Sequence, residues 1–370
     1  MSVRKRTWTV KSTGEIKEAF IVDYRDKNGH RAIETFKTKG EADDYAAKVR
    51  IDVKRGAHIA PSKSITVAEA CDRWIKRVIA DGRERSTVDQ YKQHAYLHII
   101  PRLGKVKLAN LEAMAEGFRE DLLAKLSRPM AQKVMVSFHQ MPKSNKYGHI
   151  AQDIRIKMPR RDRRKLEIGR DIPTTAEVKR MVVAATDARA RVLLLLAAFT
   201  GLRASELRGL RWLDVDLKKG EVHVRQRADR YREIGDPKSK DSRRTVPLDL
   251  GTVGDALRQW KLKCENFQSD LVFPARAGGP MMPKALLGIL RSVLRGAGIR
   301  NKYGLHAFRH FFASWCINAK ADGGRELPPK SVQALLGHAS ITMTLDVYGH
   351  LFPRTDDPAE LAKSIRSLLA

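Results

Sequence analysis

Cysteine is scarce in this chain, with only Cys71, Cys264 and Cys316 in 370 residues. Three widely separated thiols give neither a disulfide framework nor the paired spacing of a zinc site, so they read as buried or incidental. Long apolar runs are missing as well. The longest wholly apolar stretch near the centre, Val192 to Phe199, is eight residues, far short of the roughly 20 that span a bilayer, and no transmembrane segment is expected. The opening MSVRKRTWTV carries charge but no apolar stretch of signal-peptide length, which argues against export and for a cytosolic or nucleoid-associated protein. Acidic residues are the third shortage. There are 42 Asp plus Glu against 71 Lys plus Arg, a positive excess of 29. Self-repulsion of that size opposes compaction, so its beneficiary is a polyanionic partner, and nucleic acid or an anionic membrane surface would fit.

The length suggests two or three domains, and the 42% hydrophobic content is enough for globular cores. Residues 1–55 read as a small sheet with a helix. Ala19–Tyr24 and Arg31–Phe36 flank a turn at Asn28-Gly29, a strand around Trp8 makes a third, and residues 40–55 form a covering helix. Gly56–Ser62 has linker composition. Thr66-Val67-Ala68-Glu69 then has the pattern of a capping box and opens a helical unit over 64–155. In it Trp74, Ile75 and Val78 mark an apolar face, a second helix runs over Ser86–Ile100, and Pro101 and Gly104 break the chain. A basic linker over 156–171 follows, in which Arg160, Arg161, Arg163, Arg164 and Lys165 are either a solvated charge run or contacts to phosphates. From 172 to 370 the chain reads as one larger mixed domain. Thr174–Glu177 starts a helix, Val192–Phe199 is buried, and Glu221–Val224 and Arg244–Leu248 are strands. The fold class expected is multidomain and mainly α, with small β-sheets.

Four separated features carry possible chemistry. In Thr200-Gly201-Leu202-Arg203-Ala204-Ser205-Glu206-Leu207, Arg203 either pairs with Glu206 or holds an anion at the edge of a core. The loop from Asp236 to Arg244 reads as a hairpin tip bearing Lys238, Lys240, Arg243 and Arg244. Such tips are commonly solvated, yet a lysine there can donate a proton once its surroundings lower its pKa. In Leu305–Phe312, His306 and Arg309 share one helix face beside an apolar stripe of Leu305, Phe308, Phe312 and Trp315. Finally, LLGHASITMTLDVY places His338 after a glycine turn and Tyr348 ten residues later. Ile341, Thr344, Leu345 and Tyr348 recur at helical spacing, which by itself makes the tyrosine a structural plug. A metal site is disfavoured: His306 and His310 have zinc-helix spacing, but Ala307 and Phe308 follow His306 where a metalloprotease needs a glutamate.

Taken in order, Arg203, Lys238 or Lys240, His306 with Arg309, His338 and Tyr348 strongly resemble the tyrosine recombinase family of phage and mobile-element integrases. The flanking blocks TGLRASELRGLRWLDVDL, SRRTVPL, GLHAFRHFFAS and LLGHASITMTLDVYGH share that likeness over about 172–352. Ile100-Pro101-x-Leu103-Gly104 resembles the family's core-binding domain, and the N-terminal sheet resembles a lambda-type arm-binding domain. The resemblance implies that Arg203 and Arg309 clamp the non-bridging oxygens of a phosphodiester and that Tyr348 attacks phosphorus to give a 3′-phosphotyrosine. His306 would act as general base or phosphate donor, and His338 would support the same phosphate. A lysine would protonate the leaving 5′-oxygen, Lys238 being favoured and Lys240 the alternative, while Glu206 would orient its helix. Arg243 and Arg244 would join the linker arginines in binding DNA.

No cofactor or metal is implied. The implied partners are double-stranded attachment sites, three further copies in a tetramer on DNA, an excision factor and a DNA-bending host protein, with no membrane. Two departures stand out: Ala307-Phe308 replaces the family's frequent Asp-Leu, and residues 128–155 match the core-binding domain poorly. A Xer-like dimer resolvase and a non-catalytic regulator on the same fold are the competing readings, with a type IB topoisomerase third. The tail from Asp356 to Ala370 reads as an amphipathic helix, packed on its own domain or docked on a neighbour.

Overall fold

The computed structural model describes residues 1–10, 12–25, 29, 31–54, 64–145, 164–237, 239–264, 269–300, 302–352 and 358–369. The fold is mainly helical with small antiparallel sheets, and the chain divides into two compact units, Met1–Arg161 and Asp162–Ala370. The expected linker Gly56–Ser62 lies outside the described residues.

In the first unit, strands β1 (Ser2–Thr9), β2 (Ile16–Arg25) and β3 (Arg31–Phe36) form an antiparallel sheet in the order β1-β2-β3. Helix α1 (Lys39–Lys54) sets Ala42, Ala46 and Val49 against Val22, Tyr24 and Ala32, a small core of its own. Asn28 of the expected turn lies outside the described residues. A second core belongs to helices α2 (Val67–Ala80), α3 (Arg85–Gln93), α4 (Ile100–Leu103), α5 (Leu111–Lys125) and α6 (Arg128–Ser144). The capping box at the start of α2 is complete: Thr66 N donates to Glu69 Oε2 at 2.7 Å, and Glu69 N donates to Thr66 Oγ1 at 3.2 Å. Pro101 does not break the chain. A π-helical segment, His94–Ile99, joins α3 to α4, and Pro101 sits in the first turn of α4, within a helical run that continues without a break.

The second unit is built around α8 (Ala188–Thr200), which follows α7 (Thr175–Ala184) and is buried along most of its length. An antiparallel sheet of β4 (Val215–Asp216), β5 (Glu221–Val224) and β8 (Arg244–Pro247) lies in the same unit. Between β5 and β8 a separate two-stranded hairpin forms from β6 (Arg227–Ala228) and β7 (Ile234–Gly235). The basic loop from Asp236 to Arg243 is therefore the connection from that hairpin into β8, not a hairpin tip. Helices α9 (Ala204–Gly209), α10 (Thr252–Cys264), α11 (Pro283–Gly296), α12 (Leu305–Ile317), α13 (Pro329–Leu336) and α14 (Ile341–Tyr348) complete the body. A last helix, α15 (Pro358–Leu369), leaves Ile365, Leu368 and Leu369 exposed.

Residues 164–171 of the expected linker are built into this second unit. Leu166 packs against its core, and its carbonyl is 2.9 Å from His350 Nε2.

Candidate functional site

Helix α8 ends because Gly201 takes the left-handed conformation, at φ +61°, and α12 presses on the same point. A Cβ on Gly201 would lie 2.4 Å from Phe312 Cδ1, so only glycine fits both the turn and the neighbour. The chain leaves this turn with Arg203 at the N-cap of α9. There Arg203 N donates to Glu206 Oε2 at 2.9 Å, and its Nη1 donates to Glu206 Oε1 at 2.7 Å. The i+3 pairing and the placement at a core edge are thus both realised, because one carboxylate caps the helix and holds the guanidinium. Arg203 Nη2 also donates to Gly337 O at 3.1 Å, and its side chain remains 30% exposed.

Glu206 is buried and shared. Arg244 donates to its Oε2 from Nη2 at 2.9 Å and to its Oε1 from Nη1 at 3.2 Å. Burial works against the carboxylate's charge, but Arg244 and Arg203 outweigh it and hold the group at about 2. Arg244 also donates to Leu335 O at 2.7 Å and Ser242 O at 3.0 Å, and its side chain is only 5% exposed. This corrects the expectation that Arg244 contacts DNA: its donors are committed inside the protein, where it ties β8 to α9 and to the end of α13. Arg243 is exposed and pairs with Asp236.

Arg309, on α12, is 2% exposed. It donates to Gly201 O from Nη1 at 2.7 Å and to Leu336 O from Nη2, so it joins the ends of α8 and α13. Burial, then Arg203 and Arg244, lower its pKa to about 9, which leaves it charged at neutral pH. His306 lies one turn before Arg309 on α12, and burial followed by Arg309 and Arg203 lowers its pKa.

The turn after α13 is again a left-handed glycine, Gly337 at φ +63°. It delivers His338, whose Nδ1 lies 2.9 Å from Thr344 Oγ1. Burial and then the site arginines hold His338 at about 4, so it is neutral at physiological pH. Ser340 caps α14 by accepting from Met343 N, and the helix turns Thr344 and Tyr348 inward, at 0% and 1% exposure. Leu345, expected on that face, is 44% exposed, because the buried row is the i, i+4 pair and not the wider stripe. The Tyr348 ring stacks on His338 with an interplanar angle of 4° and a centroid distance of 6.5 Å. Burial pushes its phenol up to about 12, with Arg309 pulling the other way.

The structure thus brings Arg203, Glu206, Arg309, His306, His338 and Tyr348 together in one cluster. Lys238, Arg160, Arg161 and Arg163 lie outside the described residues, and of Lys240 only the backbone is described, in a short 3-10 turn. Arg164 and Lys165 are exposed on the second unit. One residue at the centre was not foreseen as functional: His310 Nδ1 lies 2.7 Å from Tyr348 Oη. Its i+4 spacing from His306 is visible in the sequence, where it reads only as a metal motif. The two rings meet edge to face at 4.5 Å.

Two guanidiniums, neutral imidazoles and a buried phenol suit an anionic centre that gains charge as an oxygen nucleophile adds to it. Comparison with known proteins points the same way. Residues 173–354 match the Phage integrase family. A protein of Caldanaerobacter subterraneus subsp. tengcongensis described as tyrosine recombinase XerC-like is 25% identical over 387 residues, covering 95% of this chain and 96% of that protein. The tyrosine recombinase XerC of Xylella fastidiosa (strain 9a5c) is 36% identical over 163 residues, 44% of this chain, which spans about half (49%) of that relative's length. Among solved structures, a Tn1549 transposon integrase in complex with transposon right end DNA aligns with TM-score 0.60 and 20% identity, over 83% of this chain and 100% of that one. A lambda integrase tetramer bound to a Holliday junction aligns with TM-score 0.56 and 17% identity, over 91% and 96%. At those identities the structural likeness speaks for the fold.

Proposed function

We infer, from the membership of this chain in the tyrosine recombinase family of DNA-cleaving and rejoining enzymes, that it integrates and excises a phage or other mobile element at specific DNA sites. The observation that carries this reading is the convergence of Arg203, Arg309, His306, His338 and Tyr348, drawn from three separate stretches of sequence, around one buried hydroxyl. Arg203 and Arg309 bind the non-bridging oxygens of the scissile phosphate, and their charge counts most where the pentavalent transition state gathers more of its own. His306 and His338 add support to the same phosphate. Tyr348 attacks in line, giving a 3′-phosphotyrosine and a 5′-hydroxyl, and attack by a 5′-hydroxyl of a partner strand rejoins the ends. Lys238, or in its place Lys240, protonates the leaving oxygen.

The domains divide the binding work. Residues 1–55 take arm-type sites, 64–155 take the core site, and Arg160, Arg161, Arg163, Arg164, Lys165 and Arg243 follow phosphates. The active assembly is a tetramer on DNA at the nucleoid, with α15 exchanged between neighbours and with an excision factor and a DNA-bending host protein assisting. Resolution of replicon dimers is the second reading, favoured by the XerC-like description of a relative that aligns over nearly the whole chain.

A nicked duplex carrying the attachment site, which traps the cleaved state, tests the reading. Wild type should form a covalent protein–DNA adduct that Tyr348→Phe does not. An adduct-free wild type on its proper site would sink it. Recombination of an element end with a chromosomal site, against recombination of two identical sites, separates the two readings.

A further inference from the structure

The Tyr348 hydroxyl is buried, and its hydrogen-bond partner among the described residues is His310 Nδ1, at 2.7 Å. The other two histidines of the cluster are placed differently. His338 has its Nδ1 on Thr344 Oγ1 at 2.9 Å, and His306 meets the edge of His310. We propose that His310 is the base that takes the phenolic proton of Tyr348 as its oxygen attacks phosphorus, an assignment that rests on the nucleophile reading above.

The step balances within the site. The lone pair on Nδ1 accepts the proton from Oη, the Oη–P bond forms, and the P–O5′ bond breaks. The departing 5′-oxygen takes its own proton from the lysine donor. Rejoining runs the same transfers backwards, and the imidazolium of His310 returns its proton to the phenol. Acceptance at Nδ1 requires a neutral ring with its hydrogen on Nε2. Burial, followed by His306 and Arg309, favours that neutral form and holds the group at about 4, while Asp171 opposes them. A bound phosphodiester brings negative charge beside Arg309 and so reduces the cost of the imidazolium at the moment it forms.

The test uses the full chain on the nicked attachment-site duplex, made with either the natural bridging oxygen or a bridging 5′-sulfur at the scissile phosphate. A sulfur leaving group departs without a proton, so it relieves the loss of an acid but not the loss of a base. His310→Asn keeps a hydrogen-bond acceptor and has no basicity, and His310→Gln replaces it should the first variant bind DNA poorly. The expected result is DNA affinity like that of wild type with adduct formation slower by roughly 100-fold or more, equally on both substrates. A rate within about threefold of wild type, far below the usual worth of a general base, overturns the proposal. Recovery on the sulfur substrate also overturns it, by moving His310 to the leaving-group side. Failure of wild type itself to form an adduct instead removes the nucleophile reading, and this proposal with it.

Discussion

Glu206→Gln removes the one carboxylate that Arg203 and Arg244 share, and its cost can be worked from the site. The carboxyl is held at about 2, against 4.5 for an ordinary glutamate. Each pKa unit is worth about 1.4 kcal/mol, so the folded state prefers the charged form by about 3 kcal/mol. The folded pKa is depressed, so this stabilisation is present above pH 4.5 and is lost as pH falls through about 2. Urea unfolding followed by tryptophan fluorescence, with Trp212, Trp260 and Trp315 in this unit, should show the variant less stable by about 3 kcal/mol at pH 7, within the range for breaking a buried pair. The difference should narrow to about 2 kcal/mol near pH 3.5, because the unfolded chain takes up a proton on Glu206 below 4.5 while the folded carboxylate stays charged. A cost below about 1 kcal/mol at pH 7, or one that does not change with pH, would refute the claim that Glu206 is an ionised strut.

Three further outcomes follow from the same geometry. Gly201→Ala meets a left-handed backbone and a ring at 2.4 Å, so denaturation should show a loss of about 2–4 kcal/mol; a neutral result would mean that the turn relaxes freely. Thr344→Val takes the partner from His338 Nδ1 and should cost about 1–3 kcal/mol, with DNA affinity kept and adduct formation slowed; unchanged cleavage would remove His338 from the phosphate site. His338 is held at about 4 against 6.5 in an ordinary histidine, so the unfolded state binds more protons between those values. Stability should fall as pH drops from 6.5 through 4, by up to about 3 kcal/mol from this group, and His338→Gln should flatten the curve measured by urea unfolding. An equal slope in variant and wild type would contradict it.

How far the sequence could be read depended on the range of the interaction that decides each feature. The capping boxes at Thr66-Glu69 and Thr174-Glu177 are local, and both form as the residue types dictate. The glycine turn before His338 is legible for the same reason. The π-helical segment before Pro101 was not, since an added residue in a turn leaves no mark in apolar spacing. Nor was the β6–β7 hairpin, whose strands are two residues each and carry no alternation to detect. The misassigned arginine is the sharpest case. Arg244 stands in a run of basic residues beside Arg243, and only the fold distinguishes them. Pleating sends one inward to Glu206 and leaves the other on the surface with Asp236. His310 escaped for a related reason: its meaning depends on Tyr348, 38 residues away, and no periodicity links them.

The charges of the cluster fit its proposed work better than the count of arginines suggests. Arg203, Arg244 and Arg309 carry three positive charges, and Glu206 returns one negative. Were the histidines protonated as well, each would add repulsion against Arg309, which already sits at 2% exposure among like charges. Burial keeps His310 and His338 neutral, so the net field of the folded site is close to two positive charges. A phosphodiester brings one negative charge and approaches two as the fifth oxygen adds, so the field is matched to the transition state and exceeds what the ground state neutralises. Glu206 is what makes the match possible. Without it Arg244 would repel Arg203, and the guanidinium proposed to meet the phosphate would lose the carboxylate that fixes its direction.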